Sequence, residues 1–192
     1  TNPLSSIGRF RDPYFTHKQE TLQYYTPEQF KRYIAVAEQY RERSIKDSGY
    51  YVFFNIAFFT GMRKGEIHAL KWSDIEGDLI HVRRSITQKT KDGDQETPPK
   101  NESSYRTIQM PKRLVAILKQ HRMFQQHAKG FSDDFRVCGG ITPLRDSSIA
   151  NRNSFFAKEA ELPKIRIHDF RHSHASMLAN ESVNIQEIAR RL

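Results

Sequence analysis

Residues 50–75 read "YYVFFNIAFFTGMRKGEIHALKWSDI", and their reading decides the fold. Tyr50 to Phe59 is an almost unbroken apolar run of ten residues. A membrane-spanning helix needs about 20 such residues, so the run predicts a buried helix, one that ends near Gly61. Beyond Trp72 the pattern changes. "KWSDIEGDLIHVRRSITQ" carries β-branched alternation around a Glu76-Gly77-Asp78 turn, which predicts strands. A buried helix that gives way to a short sheet, with helical segments on both sides, predicts a mainly α domain with a small antiparallel β-sheet (α+β).

Upstream, Thr26, Pro27 and Gln29 supply an N-cap, a proline at the first helical position and a capping-box partner. Phe30, Tyr33, Ile34, Ala37 and Tyr40 then recur at helical spacing, and this face should pack on the Tyr50–Phe59 helix. Residues 1–25 hold two prolines and no sustained period, so they are expected to be a linker or arm leaving a preceding domain. Residues 26–192 are expected to form one domain. Downstream, "KTKDGDQETPPKNESS" (Lys89–Ser104) is polar enough to expect a mobile loop, and "YRTIQM" (Tyr105–Met110) reads as a returning strand. Helices are expected from Pro111, over Ser147–Leu162 with a serine cap, from His168 to about Ala179, and after an Asn184 cap.

Lysine and arginine total 31 against 22 aspartates and glutamates, a formal charge of +9, which favours a polyanion such as nucleic acid. The single cysteine, Cys138, excludes an internal disulfide framework and fits a reducing compartment. No signal peptide, repeat or Gly-rich phosphate loop is visible, and the default expectation is a soluble, cytoplasmic protein. The charge is concentrated in "RIHDFRHSHAS" (Arg166–Ser176), where His168, Arg171, His172 and His174 surround Phe170 and Asp169 is the only acid. Such a segment calls for an anionic ligand.

"TGMRKGEIHALKWSDI" (Thr60–Ile75) resembles the first arginine motif of the tyrosine recombinase (phage integrase) family, and "HDFRHSHAS" (His168–Ser176) resembles its His-x-x-Arg motif. The resemblance spans roughly Thr26 to Leu192. It implies an integrase-type catalytic domain of a DNA site-specific recombinase, from a phage or other mobile element, working through a 3′-phosphotyrosyl intermediate without metal or other cofactor. It implies that the domain preceding the arm of residues 1–25 binds DNA, and it implies double-stranded DNA as partner and a tetramer on DNA; by itself the chain is expected to be monomeric. Lys100 stands where the family carries its catalytic lysine, which implies a general acid for the leaving 5′-hydroxyl.

Elementary chemistry suits these residue types. Arginine stays ionised and presents a planar fork that matches phosphate, so Arg63 and Arg171 can clamp two non-bridging oxygens. His168, in the first turn of its helix, would handle the nucleophile's proton, with Arg171 three residues on. Glu66 follows Arg63 by three and is expected to support it rather than react.

Blander readings stand beside these. Arg63 and Glu66 can be a surface pair, and Lys89, Lys91 and Lys100 share one polar segment where most lysines are simply solvated. His172 reads as a core histidine, and Trp72 with the Tyr50–Phe59 aromatics reads as core. His168 and His172 have zinc-ligand spacing, but Asp169 stands where a metalloprotease motif has glutamate and no third ligand is evident.

In the family the nucleophilic tyrosine follows a Leu-Gly-His stretch, and this sequence reaches that leucine at Leu192. All eight tyrosines precede His168. The expectation is a catalytic domain truncated before its nucleophile and inactive in cleavage as it stands. The alternatives are a non-catalytic DNA-binding regulator derived from an integrase, and a type IB topoisomerase.

Overall fold

In the computed structural model the described residues are 23–90, 93–98 and 105–180. Helix α1, Pro27–Glu38, starts as its sequence dictates: Thr26 Oγ1 accepts the Gln29 N–H and Gln29 Oε1 accepts the Thr26 N–H. Its inner face buries Phe30, Tyr33, Ile34 and Ala37. Helix α2, Ile45–Thr60, begins at Ser44, whose Oγ accepts the Asp47 N–H, and ends at Gly61 with φ +62°. A side chain is strained at that φ, so glycine is the residue that lets the chain leave the helix here.

Helix α2 is buried nearly all round and packs against α1, α4 (Lys112–Gln125) and α6 (Asp169–Asn180). Its aromatics do the packing. Phe58 stacks face to face on Phe30 at 3.8 Å, Phe54 meets Tyr33 edge-on, and Phe170 of α6 closes the cluster. Tyr25 belongs to the same core, with its backbone N–H on Ser173 Oγ and its hydroxyl donating to Pro163 O.

After Gly61 comes the short helix α3, Lys64–Ala69, and a 3-10 turn at Trp72–Asp74. Strands β1 (Ile75–Glu76), β2 (Leu79–Val82) and β5 (Arg106–Gln109) form an antiparallel sheet in that order, with Ile80 opposite Ile108. Between β2 and β5 the chain makes a separate two-stranded ribbon, β3 (Ser85–Thr90) and β4 (Gly93–Thr97). Helix α3 lies close on β3: a Cβ at Gly65 would stand 2.7 Å from Ile86 O, so glycine is required for this approach.

Two expectations are corrected. The polar stretch expected to be a loop contains β4. Ion pairs seat this ribbon, Asp94 with Arg145 at 2.7 Å and Glu96 with Arg136 at 2.8 Å. Gln88 of β3 adds a bridge, donating to Leu144 O and accepting the Asp146 N–H. That last bond also explains the second correction. Helix α5 runs Asp146–Glu159 and has no serine cap; its first N–H is capped from outside by Gln88. The expected Asn184-capped helix lies outside the described residues, and no helix among those described is long and apolar enough to cross a membrane.

His121 of α4 is buried between two partners, Ser48 Oγ at Nδ1 and Val137 O at Nε2. A carbonyl only accepts, so Nε2 carries the hydrogen and Nδ1 accepts from the serine. Protonation would strand a donor, and burial brings the imidazole down to about 4. Between pH 6.5 and 4 the unfolded chain therefore binds the extra proton, and stability falls with falling pH by up to about 3 kcal/mol. Urea denaturation over that range checks this: His121→Gln should remove the His121 share of the slope and leave that of His68 and His168, which burial also holds low.

Candidate phosphate-binding site

The site is built where α2 ends. Gly61 turns the chain, Arg63 becomes the residue that opens α3, and Glu66 stands at the third helical position. Glu66 reaches back, its Oε2 accepting the Arg63 N–H at 2.8 Å and its Oε1 accepting Arg63 Nη1 at 3.1 Å. Glu66 thus holds Arg63 by two hydrogen bonds, and with the Glu66 side chain only 7% exposed this is no surface pair.

A second arginine completes it. Arg106 of β5 places Nη1 on Oε1 at 2.9 Å and Nη2 on Oε2 at 2.8 Å, a bidentate fork. Burial alone would raise the Glu66 carboxyl; the Arg106 fork and then Arg63 outweigh it and hold the group below its ordinary range. Arg106 was not singled out in the sequence. The clue was available, since Arg106 shares its strand face with the buried Ile108 two residues on.

Arg171 arrives from α6, and its Nη1 donates to Gly61 O at 2.7 Å. Burial, then the nearby Arg63 and Arg106 charges, bring its guanidinium down to about 10, which still leaves it charged at neutral pH. Three guanidiniums therefore gather around one carboxylate, and the surplus is positive. Such a surplus is suited to an anion.

His168 lies immediately before α6 and is exposed, its ring edge-on to His172 at 5.4 Å. Partial burial, then His172 and Arg171, hold its imidazole below the ordinary range, which favours the neutral form that can accept a proton. Asp169, the lone acid of the segment, is buried and accepts from the Arg166 backbone N–H, Nε and Nη2.

The core histidine is His174 rather than His172. His174 Nδ1 donates to Phe58 O at 2.9 Å, whereas His172 is only half-buried beside His168. His68 is a further buried histidine, its Nε2 on Asp146 Oδ1, which ties α3 to α5. Trp72 is core as expected, with Nε1 donating to Gln125 Oε1. Lys100 lies outside the described residues. Among those described, no group of three histidine, cysteine or acidic side chains is placed to hold a metal ion.

Comparison with known proteins follows the same lines. The profile described as "Phage integrase family" matches residues 23–192. The ICEBs1 integrase of Bacillus subtilis (strain 168) is 29% identical over 198 residues, covering 100% of this chain and 51% of that protein. A "Tyrosine recombinase XerC-like" protein of Caldanaerobacter subterraneus subsp. tengcongensis is 29% identical over 156 residues, 71% of this chain and 40% of the relative. The chain thus spans about half the length of the curated relatives it matches, or less. In fold it is similar to the Tn1549 transposon integrase solved with circular intermediate DNA, with TM-score 0.70, 19% identity, and 90% of this chain and 59% of that one covered. XerA recombinase gives TM-score 0.68 at 20% identity over 88% of this chain and 53% of that one.

Removing the carboxylate should be costly. Glu66→Ala takes the buried carboxylate away from Arg106, for an expected loss of about 3–5 kcal/mol, and Glu66→Gln, which keeps an acceptor, should lose roughly half of that. Guanidinium denaturation measures both; a loss below about 1 kcal/mol for the alanine variant would mean that the two arginines find other partners.

Proposed function

We propose that this chain, which belongs to the phage integrase family, is the phosphate-activating catalytic domain of a DNA site-specific recombinase. The observation that carries the reading is the convergence of Arg63 and Arg171. They come from the two separate motifs, and the fold brings them to one turn, Arg171 bonded to Gly61 O and Arg63 held two residues further on by Glu66. Their charged forks are suited to the two non-bridging oxygens of a scissile phosphodiester, on which negative charge builds in the transition state.

In the proposed reaction a tyrosine oxygen attacks the phosphorus of double-stranded DNA. The new P–O bond makes a 3′-phosphotyrosine, the bond to the 5′-oxygen breaks, and the freed 5′-hydroxyl takes a proton from Lys100. His168, exposed and favoured in its neutral form, receives the proton of the attacking tyrosine. Reversal onto a partner strand completes exchange. Because the covalent intermediate conserves the diester bond energy, the balance calls for no nucleotide.

Buried Tyr25 and Tyr33 do not suit the nucleophile's task. The phenol of Tyr25 is pushed up to about 12 by burial, and that of Tyr33 rises well above its usual value for the same reason. In the family the nucleophile follows the second arginine motif, and we place it beyond Leu192 in the full-length protein. Assembly as a tetramer on DNA, with a monomer free in solution, belongs to the same reading, as does action in the compartment that holds the DNA. A non-catalytic DNA-binding regulator derived from an integrase is the second reading, since the arginines gathered at Glu66 would hold a DNA phosphate with or without a nucleophile.

Arg63→Ala or Arg171→Ala in the full-length protein should slow covalent adduct formation by about 10²–10³-fold, while duplex affinity falls far less. Trapping the adduct on a nicked duplex and measuring affinity by anisotropy separates the two effects. Equal losses in both would reduce the arginines to backbone positioning, and failure of the full-length protein to form any adduct would favour the regulator.

A further inference from the structure

We propose that Arg106 is a positioning residue for Arg63: its fork satisfies the buried side of Glu66, so that Arg63 is fixed through its backbone N–H and one guanidinium nitrogen and keeps its remaining N–H groups for the phosphate. The inference rests on the phosphate-gripping role proposed for Arg63.

The division of labour follows from burial and geometry. Arg106 has a side chain 8% exposed, whereas that of Arg63 is 53% exposed, and both use the same two carboxylate oxygens. Each oxygen accepts one bond from Arg106 and one from Arg63. A buried carboxylate must keep its charge satisfied or lose it. Without Arg106, Glu66 either draws a second nitrogen of Arg63 into a fork or takes up a proton. The first withdraws Arg63 from a ligand and the second loosens its tether.

The charge balance points the same way. Glu66 faces Arg63 of α3, Arg106 of β5 and Arg171 of α6. With Arg106 cancelling the carboxylate, the charges of Arg63 and Arg171 remain for an anion; without it, one of them is cancelled instead. Lysine would restore the charge but cannot span both oxygens, since an ammonium is a point donor where guanidinium is a planar fork.

The test uses the full-length protein on a nicked duplex carrying the end of its own element, with adduct rate and duplex affinity measured separately. Arg106→Gln should slow adduct formation roughly tenfold to a hundredfold with affinity held within about threefold. Its acid limb should move to higher pH, because Glu66 without the fork protonates more readily. Combining it with Glu66→Gln should give no further slowing, as expected when one residue acts through the other. Arg106→Lys should still be slow by at least about threefold, and it carries the same rate and pH measurements if the glutamine variant does not fold.

Wild-type rates in both Arg106 variants, with Arg63→Ala slow, would overturn the positioning role and leave the recombinase reading in place. A wild-type rate in Arg63→Ala would overturn that reading itself. Slowing by Arg106→Gln that adds to Glu66→Gln, with an unmoved acid limb, would make Arg106 a stabilising residue only and overturn the inference.

Discussion

A carboxylate removed from water must be fully bonded, and the burial of Glu66 imposes that constraint on three separate parts of the chain. It fixes where α3 begins, because the Arg63 N–H is one of its donors. It fixes the seat of β5, because Arg106 must bring both nitrogens to it. It leaves a positive surplus once Arg171 is docked beside them. Had the acid been exposed, none of these placements would follow, since a solvated pair contributes little and constrains less.

The docking of α6 depends on the other property of this corner, the carbonyls at the end of α2 that have no partner within the helix. A helix leaves its last carbonyls without intrahelical partners and concentrates negative partial charge there. Here His174 bonds Phe58 O, Arg171 bonds Gly61 O, and the Gly61 N–H takes Ala57 O. The unpaired end of one helix becomes the socket for another, and Arg171, which helps to plug it, also brings its charge beside Arg63 and Arg106. Phe170, next to Arg171 in α6, adds the apolar half of the contact with Phe54.

The sequence was legible where local chemistry is decisive. Thr26 with Gln29 announced α1, the Tyr50–Phe59 run announced the central helix, and the Gly77 turn announced the first hairpin. It misled where a residue's role is set by distant partners. Ser147 looked like a cap, but Gln88 of the ribbon takes the first N–H of α5 one residue earlier. The polar stretch before Lys100 looked unstructured because strand β4 is held by Asp94 and Glu96 to arginines far along the chain. Arg63, Glu66 and Arg171 were readable as a set through their two motifs. Arg106 lies outside both motifs, and its burial is legible only through Ile108, two residues on along the same strand face.

The two kinds of constraint meet in the β3–β4 ribbon. Gly65 lets α3 lie against Ile86 on one side of it, and Gln88 ties its first strand to Leu144 and Asp146 on the other. The chain that leaves β4 must return as β5 with Arg106 at the strand's start, in register with Val82. The seating of the ribbon and the orientation of Arg63 are therefore parts of one covalent path, with Glu66 as the point where that path closes back on α3. Within that corner the Arg106 fork is the contact least tolerant of a shift, because hydrogen bonds to a buried charge weaken steeply with misalignment while apolar contacts such as Ile80 with Ile108 tolerate small shifts.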